Sequence, residues 1–117
     1  MVDASAAGVS LGCLVVQTTR TSLPLPAGKE ELLVGRQDPS SGVFPDIDLS
    51  GHGAESAGVS RRHARLVIES GQVFIEDLNS TNFTLVNKNR LLPGQRHLLQ
   101  FGDEVRFGRL TAIYQKE

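Results

Sequence analysis

Ser60-Arg61-Arg62-His63 and Asn79-Ser80-Thr81-Asn82 are the two stretches of this chain whose side chains could do chemistry together. Guanidinium forks, hydroxyls and side-chain amides all donate hydrogen bonds, and in combination they suit a compact anion such as phosphate. They are poor material for a core. A third donor, Arg36, follows Gly35 at the end of the apolar run Leu32-Leu33-Val34, where a strand would finish. The chemistry expected of these clusters is the holding of an anionic oxygen group.

The elements that must position them read as β-structure. Ala64, Leu66 and Ile68 alternate with Arg65, Val67 and Glu69, the period of a half-buried strand. Glu104-Val105-Arg106-Phe107 alternates as cleanly, with Val105 and Phe107 facing inward. Further strands are expected over Cys13 to Arg20, Glu31 to Arg36, Gln72 to Leu78, Arg96 to Gln100 and Thr111 to Gln115, with a hairpin between Leu85 and Leu92. Ser70-Gly71, Pro93-Gly94 and Gly102-Asp103 supply turns between them. No segment sustains helical apolar spacing between caps. Short strands at this spacing predict an all-β sandwich or barrel. The stretch from Gln37 to Val59 is rich in Gly, Ser, Pro and Asp, interrupted by Ile47-Asp48-Leu49, and too long for an idle connection. It leads into Ser60 and is expected to form one wall of the site.

Composition narrows the function. The 117 residues suit a single domain, expected over residues 11–117, behind a loose amino-terminal segment of small residues over 1–10. Twelve basic residues against 13 acidic ones give a net charge of −1, which argues against a nucleic-acid binder working by phosphate neutralisation. One cysteine, Cys13, in an apolar setting predicts a buried, inert thiol and excludes a disulfide framework. No apolar run approaches the length of a membrane span, and no basic segment opens a secretory signal, so a cytoplasmic location is expected. His52, His63 and His97 lack ligand-like spacing, and neither a metal nor a cofactor is expected. Ser60, His63 and Asp77 could be named as a hydrolase triad, but an extended segment separates Ser60 from His63 by about 10 Å. Glycine-rich phosphate loops of nucleotide-binding enzymes are absent from the sequence. A binding module is expected, and no enzyme.

At these residues the chain resembles the forkhead-associated (FHA) family of phosphothreonine-binding domains. The resemblance is carried, in order, by Gly35-Arg36, Asp46-Ile47-Asp48-Leu49, Val59-Ser60-Arg61-Arg62-His63-Ala64, Asp77-Leu78-Asn79-Ser80-Thr81-Asn82, Val86-Asn87 and Leu99-Gln100-Phe101-Gly102-Asp103. Each motif alone is weak; ordered and correctly separated, they are specific. The resemblance implies an antiparallel β-sandwich of about ten or eleven short strands with its site on loops at one end. It implies a module that recruits a phosphothreonine-bearing kinase substrate, commonly fused to other domains in a longer chain. Arg36 would bind the phosphate, Ser60 would donate its hydroxyl, and Arg61 would add a backbone or side-chain contact. Thr81 would line the pocket for the threonine methyl, and Asn82 would fix the peptide backbone. Gly35 and His63 would support the loops, while Gly58, Val59 and Phe83 would set selectivity.

Two positions depart from the family pattern. Phe83 stands where the family has glycine, so it must keep a negative φ or accept strain, and its ring could pack beneath the loop or over the peptide groove. Lys88-Asn89 replaces a glycine-containing turn, with Asn89 expected to tolerate a left-handed conformation. The Phe83 change is expected to alter selectivity. The alternative is a scaffold whose groove Phe83 occludes, serving as a phosphate-independent assembly or oligomerisation surface.

Overall fold

Alternating burial is what turns these short segments into two facing sheets. The computed structural model of the protein describes residues 11–117, and the loose segment expected over 1–10 lies outside the described residues. Its strands are β1 (Cys13–Val16), β2 (Thr21–Pro24), β3 (Glu31–Gly35), β4 (Ile47–Asp48), β5 (Ala64–Glu69), β6 (Gln72–Asp77), β7 (Thr84–Val86), β8 (Asn89–Arg90), β9 (His97–Leu99), β10 (Glu104–Phe107) and β11 (Leu110–Gln115). One sheet has the order β2-β1-β11-β10-β7-β8, the other β4-β3-β5-β6-β9. The pairings between these strands are antiparallel except β3 with β4, where Val34 faces Ile47 in parallel register. Between the sheets lie Leu14, Leu32, Leu66, Ile75, Val105 and Phe107, each fully buried. Cys13 is buried as a free thiol. Among the described residues no helix is long and apolar enough to cross a membrane.

Several local expectations change. The strand expected over Cys13 to Arg20 stops at Val16, because Arg20 turns left-handed (φ 55°) and β2 folds back as an exposed edge. β-branched Thr18 and Thr19 in that turn gave no breaker signal. Val67 does not face solvent: it lies opposite Phe74 across β5 and β6 and is only 7% exposed. The guanidinium of Arg96 sits over the Phe74 ring, so this outer face carries a small covered apolar patch. At the β7–β8 hairpin the left-handed residues are Asn87 and Lys88, while Asn89 is already in the strand. Two consecutive left-handed residues make the type I′ turn that matches strand twist.

The segment between β3 and β5 runs through 3-10 turns at Pro39–Ser41 and Ser50–His52 on either side of β4. The β10–β11 turn closes on it, with the Arg109 N–H donating to the Ala57 carbonyl (2.8 Å). At the far end of the same pair of strands, Cys13 of β1 faces Gln115 of β11. The loop before β5, the loop after β6 and the turn after β10 thus gather at one end of the sandwich.

Candidate functional site

Three loops meet at that end because backbone groups bind them to one another. Gly35 ends β3 so close to the next loop that a Cβ there would stand 1.9 Å from the Arg61 carbonyl oxygen. Only glycine fits this crossing. The Arg36 N–H donates to that same carbonyl (3.1 Å), and its Nε donates to the Val59 carbonyl (2.8 Å). One edge of the guanidinium is therefore spent on position, and the other is left to the open side. There its Nη1 lies 3.9 Å from the Glu55 carboxylate, a solvent-exposed ion pair.

His63 fixes the second loop. It is fully buried and packs edge-on to Phe107, with ring centroids 5.7 Å apart. Its Nδ1 accepts from the Ser60 N–H (2.9 Å), so the neutral ring carries its proton on Nε2 and donates to the Phe83 carbonyl (2.9 Å). Burial pushes the His63 pKa down; the Phe83 carbonyl opposes this without reversing it. The Ser60 Oγ accepts from the Thr81 N–H (3.1 Å), which leaves the hydroxyl proton free to donate outward. His63 does not touch the Ser60 hydroxyl, so the hypothetical Ser60–His63–Asp77 triad is not assembled.

Asp77 pins the third loop. Buried at the end of β6, it accepts from the Ser80 N–H and hydroxyl and from the Thr84 hydroxyl. Thr81 and Asn82 are carried on the tip between those anchors. Asn82 Nδ2 donates to the Gly58 carbonyl (3.0 Å), and its side-chain oxygen accepts from no described residue. A Cβ at Gly58, whose φ is 79°, would meet that nitrogen at 2.5 Å. Gly58 thus has a packing role that its placement among selectivity residues did not anticipate.

Arg36, Ser60, Arg61, Thr81 and Asn82 line one open concavity of about 300 Å³, together with Gly58, Val59 and Glu55. Glu55 was not singled out in the sequence, where a lone acid in a Gly/Ser-rich stretch gives no signal. Arg61 reaches the concavity with its side chain already engaged: Nη1 bonds the Asp38 carboxylate (2.7 Å) and the Ser41 hydroxyl (3.0 Å). Hydrogen bonds from Ser41, Arg61 and Ser40 hold the Asp38 carboxyl far below the usual carboxylate range. Phe83 does not line the concavity. It adopts the strained option, φ 72°, with its carbonyl held by His63 and by the Gly108 N–H (3.0 Å). The ring lies under the Arg90 guanidinium, 3.6 Å from its centroid, and is 40% exposed. A left-handed phenylalanine costs about 1–2 kcal/mol, part of which this cation–π contact offsets. Among the described residues, no group of three or more His, Cys, Asp or Glu could hold a metal ion.

A family model described as FHA domain matches residues 32–108. Protein FraH of a Nostoc strain is 39% identical over 87 residues, covering 74% of this chain and 29% of that protein. The glycogen accumulation regulator GarA of Mycolicibacterium smegmatis is 32% identical over 89 residues, 76% of this chain and 52% of its own. The chain thus spans about a third of one relative and about half of the other. An FHA domain with phosphothreonine-dependent interactions superimposes with a TM-score of 0.67 at 28% identity, covering 90% of this chain and 95% of that one.

Proposed function

Since the chain belongs to the FHA-domain family, we propose that it recruits a partner protein by binding a phosphothreonine in the concavity lined by Arg36 and Ser60. The observation that carries this is the state of the donors. Arg36 is anchored through Nε with the rest of its guanidinium toward the open side, and the Ser60 Oγ is anchored as an acceptor with its own proton left to donate. Preorganised donors of this kind lose little freedom when an anion arrives.

The phosphate brings three acceptor oxygens and a charge of about −1.5 to −2 at neutral pH. Arg36 supplies the guanidinium edge, Ser60 its hydroxyl proton, and Arg61 a contact from its part of the rim. Thr81 flanks the threonine methyl, and the Asn82 side-chain oxygen accepts from the peptide backbone. Each charge-assisted hydrogen bond is worth about 1.5–3 kcal/mol, and a micromolar complex needs about 8 kcal/mol. Two or three such bonds carry most of it. An unmodified threonine leaves these donors facing water. The role is that of a regulatory binding module with no catalytic step, and Ser60 in particular has no general base. We assign it to the cytoplasm, whose reducing conditions suit the unpaired thiol of Cys13.

The phosphate-independent alternative required Phe83 to occlude the groove, and its ring instead lies beneath Arg90. A binding titration with degenerate phosphothreonine, phosphoserine and unphosphorylated libraries tests the proposal. Micromolar binding that requires both phosphothreonine and Arg36 is expected. Binding that ignores phosphorylation, or survives Arg36→Ala unchanged, would hand the case to an assembly surface.

A further inference from the structure

We propose that a second anionic side chain of the same partner seats in the neighbouring concavity, held by Arg62 and Asn79; this rests on the phosphothreonine reading above. Ser60, Arg61 and Thr81 line two concavities, not one. They form a common wall between the pocket beside Arg36 and a larger hollow of about 430 Å³. Its other lining residues are Ser41, Val43, Arg62 and Asn79.

The charge of this hollow is unbalanced. Among the described residues no acidic one lines it. The charge of Arg61 is met by Asp38, whose carboxylate is also bonded by Ser40 and Ser41. Arg62 has no hydrogen bond or ion pair to any described residue. This is not for want of carboxylates nearby: on its other side Arg62 borders a hollow that Glu31 and Asp46 also line. Those acids are engaged, Glu31 with Arg65, and Asp46 with Lys29 and the Leu33 N–H. Arg62 is left as a guanidinium fork without a counter-charge.

Its root is nonetheless rigid. The next residue, His63, donates its N–H to the Val34 carbonyl and accepts from the Leu78 N–H. Asn79, in a left-handed conformation (φ 60°), lies just before the segment pinned by Asp77, and its side-chain amide has no hydrogen bond to any described residue. A planar guanidinium and an amide donor together suit a carboxylate or a second phosphate. Because the hollows share a wall, the second group belongs within about three residues of the phosphothreonine, at about 3.3 Å of extended chain per residue.

The test uses the full chain and phosphothreonine peptides in an alanine background. A single glutamate or phosphoserine is moved through the four positions on either side, and each peptide is titrated against wild type, Arg62→Gln and Asn79→Ala. At one position an added acid should raise affinity about three- to tenfold. Arg62→Gln should erase that gain while binding the plain phosphothreonine peptide like wild type, and Asn79→Ala should reduce it. The glutamate and phosphoserine arms distinguish a carboxylate subsite from a second phosphate subsite by which gains more. The proposal is overturned if no position gains, or if the gain survives Arg62→Gln. Failure of the plain peptide to bind wild type overturns it as well, and locates the fault in the phosphothreonine reading.

Discussion

On the outer face of the β4-β3-β5-β6-β9 sheet, Glu76 is clamped between Arg65, which bonds one carboxylate oxygen through Nε and Nη2, and Arg96, which bonds the other. Glu31 and Glu69 complete the array, so both guanidiniums are met by acids. At the loop end the same residue types stand differently. Arg36 is held by a backbone carbonyl and has only a distant, exposed Glu55, while Arg62 pairs with no acid among the described residues. Burial alone would raise the Glu76 pKa, but hydrogen bonds from Arg96 and Arg65 outweigh it and hold the carboxyl below its ordinary value. A guanidinium answered within the fold serves the fold. One positioned by backbone and left unanswered is available to a ligand.

Exchanging the two fates is the strongest way to break this comparison. Arg36→Ala should lower phosphothreonine-peptide affinity by about 100-fold or more, the loss of two charge-assisted bonds, with a melting temperature close to wild type. Arg96→Ala should do the reverse, leaving affinity unchanged in the same titration. His63→Ala stands between the regions, since His63 is a core residue serving the site. It should cost about 3 kcal/mol in urea unfolding, from a cavity and two lost hydrogen bonds, and weaken peptide binding as the Ser60 loop loosens. Glu76→Gln should cost about 1–2 kcal/mol without changing affinity.

Acid sharpens the same contrast. Burial lowers the folded His63 pKa below its ordinary 6.5, so the unfolded chain takes the proton first. Its contribution to stability is complete above about pH 6.5 and is lost as pH falls through the folded value. Peptide affinity should decline over a similar range for a separate reason, as the phosphate takes its second proton near pH 6. Urea titrations of free protein and binding titrations at matched pH separate the two. The smallest effect is expected from Glu55→Gln. Removing the acid opposite Arg36 should raise phosphopeptide affinity two- to threefold at low salt, in line with the weak energy of an exposed pair, and the gain should shrink as salt is added.

The sandwich was legible in the sequence wherever alternation was strict, as in Glu104–Phe107, and wherever a turn carried its own signal, as at Ser70-Gly71. It was illegible in the Gln17 to Arg20 turn, where β-branched threonines occupy positions that backbone geometry alone bends. Arg36, Ser60, Arg61, Thr81 and Asn82 could be gathered from motif order, and they do line one concavity. What sequence could not supply was their state of engagement. Arg61 being tied to Asp38, Gly58 making room for Asn82, and Phe83 turning away beneath Arg90 all depend on contacts between residues far apart in the chain.

The facing of Cys13 and Gln115 across β1 and β11 has an architectural consequence. The β10–β11 turn touches the loop cluster through Ala57, and the six residues of β11 then run roughly 20 Å away from it. The first and last described strands therefore meet the outside at the pole opposite the loops. A tether placed at the carboxyl end, whether a bead, a sensor chip or a second polypeptide, would hold the module with its recognition pole pointing outward and unobstructed.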